Sequence, residues 1–294
     1  NAAEITGRRP IAVKIPNDPG SRPATGLSQA EVVYEHETEG GITRFTAFFV
    51  LSDLRKVGPI RSARFVDVDL IREYSALFAH VGGSPAVRRA LTVLGELDSD
   101  EFFYGPDGPY FRTDDRDPPH NSYIDLTKLR ADAISKGLSP TVNISPWVFY
   151  KDTPDHGSVN SIQIPTPPSS NAYRARYDYD RDARNYSRWI GDQPFIDELD
   201  GRQISVENVI VQFTETERTQ YVEDSLGNLS LAIDTVGEGK AVVFHDGRRI
   251  NGRWIRRDLD SRTRFVDTSG NPTALRPGHS WVHLVDNREQ ILAG

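Results

Sequence analysis

The chain has 294 residues, enough for two ordinary domains, and its 37% hydrophobic and 10% aromatic content excludes wholesale disorder. A net charge of −7 leaves no basic excess to displace phosphate counterions, so a general nucleic-acid binder is excluded. The absence of cysteine removes disulfides, thiolate metal sites and cysteine nucleophiles, and no run approaches the roughly eighteen apolar residues of a membrane span.

Ile11-Ala12-Val13-Lys14-Ile15 predicts a short buried strand, ended by the breakers Pro16-Asn17-Asp18-Pro19-Gly20. Two further strands are predicted over residues 31–35 and 42–51. Val68, Leu70, Ile71, Tyr74 and Leu77 then fall at helical spacing. Residues 77–81 read as a strand, followed by Gly82-Gly83, Ser84 as a helix N-cap and Pro85 in the first position of a helix reaching residue 94. Another helix is predicted over residues 127–137, capped by Thr127 and stopped by Gly137. Strands alternating with helices predict an α/β-type N-terminal domain with a mixed sheet over residues 8–145.

Pro154, Pro165, Pro167, Pro168, Ser169 and Ser170 mark residues 146–171 as a boundary region. Beyond it, short alternating segments fall at residues 172–179, 185–190, 208–213, 229–233, 241–244, 253–255 and 281–285. Turns are expected at Asp246-Gly247, Asn251-Gly252 and Ser269-Gly270. Many short strands between turn signals predict a mostly β C-terminal domain over residues 172–294, so the fold class is α+β.

Side chains able to do chemistry concentrate on Gly- or Pro-marked loops of the first domain. Only six of the 35 Lys and Arg residues are lysines, so arginine, the better fork for carboxylate and phosphate, dominates. Arg61 and Arg64 lie three apart and share a face if their turn continues into the following helix, while Arg44 sits at the mouth of an apolar strand. Together they suit a phosphate, pyrophosphate or uronate. The competing assignment pairs Arg61 or Arg64 with Asp67, Asp69 or Glu39 as structural ion pairs.

His80 ends a strand ahead of Gly82, Gly83 and the Ser84 cap, the position where α/β folds bind ligands, and the Gly83 and Ser84 backbone offers an oxyanion pair. His120, in a Pro-rich loop, fits a general acid/base or simply orders its loop, with Asn121 orienting a substrate or an imidazole. Glu39 completes the enzyme version as base or metal ligand. His36, His80 and His120 with Glu35, Glu39 or Asp67 show no recognised metal spacing. Asp114, Asp115 and Asp117 lack the Gly and closing Glu of a calcium loop, so no metal and no cofactor is assigned. Trp254 and Trp281 fit a β core or, alternatively, glycan contact.

Arg9-Pro10-Ile11-Ala12-Val13, Glu39 to Phe45, Gly58 to Arg64, His80 to Pro85 and Pro119-His120-Asn121 together resemble the YerB-like family of bacterial lipoproteins, with Asn208 to Val211 and Gly237 to Trp254 resembling its second domain. The resemblance implies secretion and, in many members, a lipid-anchored N terminus, but no reaction and no catalytic residue. The start at Asn1-Ala2-Ala3, without Met, reads as a tag remnant and leaves a removed signal peptide or anchor open. The expectation is an extracytoplasmic, envelope-associated protein that binds an anionic cell-wall glycan or phosphate-bearing ligand through Arg44, Arg61 and Arg64. A membrane is expected to hold it only through a lipid anchor. Two alternatives stand beside this: an envelope hydrolase or phosphotransferase using His80, His120 and Glu39, and a protein-interaction scaffold at the cell surface.

Overall fold

The computed structural model describes residues 7–165 and 171–294. Asn1-Ala2-Ala3 and the Pro167-Pro168-Ser169-Ser170 part of the expected boundary lie outside the described residues. The first segment carries strands β1 (Ile11–Pro16), β2 (Val32–Thr38), β3 (Ile42–Phe49), β4 (Leu77–His80), β5 (Asp98–Asp100), β6 (Tyr110–Arg112) and β7 (Ser122–Ile124). Its helices are α1 (Phe65–Tyr74), α2 (Pro85–Leu91) and α3 (Leu126–Ser135). The second segment begins with β8 (Ser161–Gln163), β9 (Ala175–Asp180), β10 (Asn185–Ile190), β11 (Gln193–Pro194), β12 (Ser205–Val206) and β13 (Asn208–Thr214). It continues through β14 (Thr216–Val222), β15 (Leu229–Ile233), β16 (Gly237–His245), β17 (Arg248–Arg256), β18 (Arg264–Asp267), β19 (Ser280–Asp286) and β20 (Leu292–Ala293).

Strands from both segments join in one ten-stranded mixed sheet, ordered β18-β17-β16-β13-β19-β2-β3-β1-β4-β5. β19 is the seam: it runs parallel to β13 on one side and to β2 on the other, with Trp281 opposite both Val209 and Val33. A second sheet, β11-β10-β9-β8-β20 with β12 on β10, forms another layer. This is an α+β fold.

Burial on both faces explains why β1 and β3 read as continuous apolar runs rather than alternating ones. Successive side chains point to opposite faces. Ile11, Val13, Ile15, Phe45, Ala47 and Phe49 pack with Tyr177 and Phe195 of the second-sheet layer. The alternate set, Ala12, Tyr34 and Phe48, packs against Val66, Leu70 and Ile71 of α1 and Val87 of α2.

Several local expectations need correction. Helix α3 is capped by Asp125, which accepts from Lys128 N at 3.0 Å, whereas Thr127 lies inside the helix and bonds Asp53 O at 3.2 Å. Asn251-Gly252 is no turn: it lies within β17, where Gly252 pairs with Ala241 on one side and Asp267 on the other. Glycine is needed there because a Cβ would stand 1.9 Å from Val266 O. The turn of that hairpin is Asp246-Gly247, with φ of 52° and 68°, the type I′ geometry that matches strand twist. Glycan contact by the tryptophans is also overturned: Trp254 is 3% and Trp281 0% exposed, and their indoles donate to Phe213 O at 2.7 Å and to Glu35 Oε2 at 3.0 Å. Among the described residues no helix is long and apolar enough to cross a membrane.

Candidate functional site

β1, β2 and β4 run the same way, so their C-terminal ends meet at one margin of the sheet, where α1 and α2 begin. This is the margin at which open α/β sheets bind ligands. Gly58 to Arg64 arrives there as extended chain rather than helix: Arg61 N donates to Lys14 O at 2.9 Å, and Arg64 is the N-cap of α1 at φ −131°, ψ 167°. Arg61 and Arg64 therefore share no helical face. Gly82 O accepts from Ala63 N at 3.0 Å, and Val81 N donates to Arg61 O at 3.1 Å, so the His80–Ser84 loop is laced to the arginine loop.

Glu39 and two of the arginines do come together. Arg64 grips Glu39 with a two-pronged fork, Nε to Oε2 at 2.6 Å and Nη2 to Oε1. Arg44 Nη2 stands 3.6 Å from the same carboxylate, and its Nη1 donates to Ser62 O at 2.8 Å. Burial alone would raise the Glu39 carboxyl, but the bonds and charge of Arg64 outweigh it and hold its pKa below the usual range. The ion-pair assignment weighed from the sequence is thus realised for Arg64 with Glu39.

Arg61 is different. It is half-buried, and among the described residues its side chain makes no hydrogen bond or ion pair; the Nε is buried without a partner, as is Nε of Arg44. Burial first, and then the charge of Arg64, pushes both guanidinium pKa values down, with Asp18 opposing the shift at Arg61 and Glu39 opposing it at Arg44. Unused guanidinium donors are the condition for a charge-assisted bond to an anion.

The histidines are divided. His80 is fully buried and stacked on Phe78; its Nδ1 donates to Gly82 O at 2.9 Å and its Nε2 meets Asp98 Oδ1 at 2.6 Å. Gly82 N donates to Asp100 Oδ1 at 2.9 Å, so β5 fastens the whole loop. His120 is only partly covered: Nε2 lies 3.4 Å from Asp18 Oδ1 and Nδ1 has no partner among the described residues. Gly20 leaves room for that ring, since a Cβ would come within 3.2 Å of Nε2. Asn121 is committed to its own loop, accepting from Arg112 Nη1 at 2.9 Å and donating to Thr113 O at 3.4 Å. Ser84 is a true N-cap, accepting from Val87 N at 3.3 Å, and its hydroxyl also donates to Glu223 Oε2 at 3.0 Å.

Glu223 is a member of the site that sequence reasoning missed. It comes from the turn after β14, in the second segment, and its Oε1 stands 3.2 Å from Arg64 Nη1. Beneath the arginines lies a second missed group. Lys14 Nζ, at 0% exposure, donates to Asp67 Oδ1 at 2.7 Å and Thr46 Oγ1 at 3.1 Å and meets His36 Nε2 at 2.6 Å. Asp67 in turn accepts from Arg64 N at 2.6 Å, tying the buried pair to the site above. Burial drives Lys14 down to about 8 against the pull of Asp67, and burial with the Lys14 charge drives His36 to about 3. A lysine within an apolar run was the available signal. On the opposite face, Glu35 accepts from Arg188 Nη2 at 2.7 Å and Thr43 Oγ1 at 2.9 Å, cross-linking the two sheets.

Two family models match the chain in order: the N-terminal domain of a protein of unknown function, DUF3048, over residues 1–139, and its C-terminal domain over residues 163–282. Among curated proteins, the chain is 29% identical over 286 residues to a Bacillus subtilis (strain 168) protein named "Putative lipoprotein YerB", covering 96% of this chain and 82% of that one. The crystal structure of YerB protein from Bacillus subtilis superimposes with a TM-score of 0.86 at 27% identity, covering 99% of this chain and 95% of that chain. With both models matched in sequence order and the same architecture in a solved relative, this chain belongs to the YerB-like DUF3048 family.

Proposed function

We propose that this protein is extracytoplasmic and envelope-associated, and that it binds an anionic cell-wall glycan or phosphate-bearing ligand at Arg44, Arg61 and Arg64. The observation carrying this reading is the pair of unpartnered, buried Nε donors on Arg44 and Arg61 beside a third guanidinium. Glu39 and Glu223 occupy Arg64, so Arg61, the more open of the three, makes the first contact with the ligand. The location rests on the lipoprotein name of the relative, and a lipid anchor is the membrane attachment proposed with it. Calorimetric titration with glucuronate, inorganic phosphate and wall-polymer fragments at low ionic strength tests the site. Binding is expected to weaken about tenfold or more in Arg61→Gln, the loss of one charge-assisted contact, and to fall with added salt. Absence of any binding by the wild type would sink the reading.

A second reading is favoured by one observation. His120, half-covered, has Asp18 beside Nε2 and a free Nδ1, the pairing in which a carboxylate orients a general acid/base. In this version the enzyme works through His120, and His80, engaged at both nitrogens, holds its loop. Turnover of wall polymers that survives His120→Ala would eliminate it.

A further inference from the structure

The β14–β15 hairpin inverts the usual pattern. Val222 and Leu226 stand in solvent at 55% and 86% exposure, while Glu223, between them, points inward with a side chain only 1% exposed. Its two oxygens are separately held: Oε1 by Arg64 Nη1 at 3.2 Å, and Oε2 by Ser84 Oγ at 3.0 Å and by Ser230 Oγ. At its base the hairpin is anchored by Ile233, which joins the core under α1. Towards its tip the hairpin is held by Glu223, by a tilted contact of Tyr221 with Phe65 at 5.9 Å and by the approach of β15 to the Glu39–Gly41 turn. Between the tip and the Glu39 turn lies a 460 Å³ cavity lined by Glu39, Gly40, Gly41, Asn228 and Leu229.

A carboxylate buried against one prong of an arginine and two hydroxyls has the contacts a bound ligand's carboxylate would have. Here it is delivered by a solvent-exposed arm with little apolar packing at the tip. Arg64 is also forked onto Glu39, so it keeps a carboxylate partner when Glu223 leaves. We propose that the β14–β15 hairpin is a latch: Glu223 occupies, as an internal carboxylate, the seat that a carboxylate of the ligand takes when it enters and displaces the hairpin tip. The latch rests on the anion-binding reading above and narrows the ligand class to carboxylates such as uronates. Arg61 and Arg44 would meet the anion first, and exchange at Arg64 would follow.

The test compares wild type with Glu223→Gln, titrating glucuronate and, separately, inorganic phosphate, with hydrogen exchange of the amides of residues 216–233 followed in both proteins. The variant is expected to bind glucuronate about tenfold more tightly, since removing the internal competitor raises the fraction of competent protein. In the wild type, glucuronate is expected to accelerate exchange across residues 216–233 while that of the β16–β17 hairpin stays unchanged. Glu223→Ala, which also removes the hydrogen bonds, should act in the same direction, and the wild-type exchange experiment stands alone should either variant fail to fold. Equal affinities with unchanged hairpin exchange, while Arg61→Gln still weakens binding, would overturn the latch and leave the anion site intact. Tightening for phosphate alone would overturn the carboxylate assignment. No binding by any of these proteins would overturn both the site and its latch.

Discussion

Asp67→Asn tests the buried pair on which the arginine site stands. Lys14 and Asp67 both have side chains at 0% exposure and meet at 2.7 Å. At an effective dielectric of about 20, Coulomb's law gives roughly 6 kcal/mol of attraction at that distance, most of it offset by the cost of taking two ions out of water. Removing one partner leaves the other charge stranded, which costs about 3–5 kcal/mol. Asparagine keeps the shape and one acceptor for Thr46 Oγ1 or Arg64 N, so the loss reports charge more than volume. For a chain of this size the melting temperature should fall by roughly 5–8 °C. The assay is urea and thermal denaturation of Asp67→Asn, Lys14→Met and the double variant Lys14→Met/Asp67→Asn. The double variant is expected to be more stable than either single one, because no unpaired charge remains. Strictly additive losses, within about 0.5 kcal/mol, would refute the reasoning.

Acid should unfold the protein partly through two histidines. Burial holds His36 down at about 3 and His283 at about 4, against 6.5 in the unfolded chain. The native state therefore binds fewer protons below 6.5, and stability is lost as pH falls from 6.5 towards 4 and 3; His36→Gln should flatten that limb of a stability–pH curve. Gly252→Ala should cost about 1–3 kcal/mol by urea denaturation, because its methyl would collide with Val266 O. Asp246 accepts from Tyr150, Arg184 and Arg276 and lies at about 2, as those bonds and the one to His245 outweigh burial. Asp246→Asn should lower stability by about 3 kcal/mol at neutral pH, with the difference narrowing as pH falls from about 4, where the unfolded carboxyl takes its proton, towards 2, where the native one does.

What could be read from the chain was local. Ser84-Pro85 announced its helix because cap and first position are set by neighbours in sequence, and the Glu39, Arg44 and Arg64 loops announced themselves by glycine and charge. Thr127 carries a cap signal, yet the packed structure caps α3 two residues earlier, at Asp125. Asn251-Gly252 carried a strong turn signal, yet close approach of the β18 backbone requires glycine there for a different reason. Glu223 carried no local signal, whereas Lys14 carried one, a lysine in an apolar run, that does not name its partners. Glu223 sits in a polar, exposed-looking hairpin, and its partner Ser84 lies 139 residues away. Lys14 sits in an apolar strand, and its partners come from three other elements.

The position of β19 bears on how the molecule assembles. Its outer neighbours, β13 and β2, cannot pair until residues 280–286 lie between them, so both wait with unsatisfied backbone edges while almost the whole chain is made. Closing the sheet then requires joining a strand near residue 32 to one near residue 280, a loop closure among the slowest that folding performs. The nascent protein therefore passes through a stage with two open strand edges. That stage is the one most exposed to aggregation, and the one a chaperone would have reason to hold.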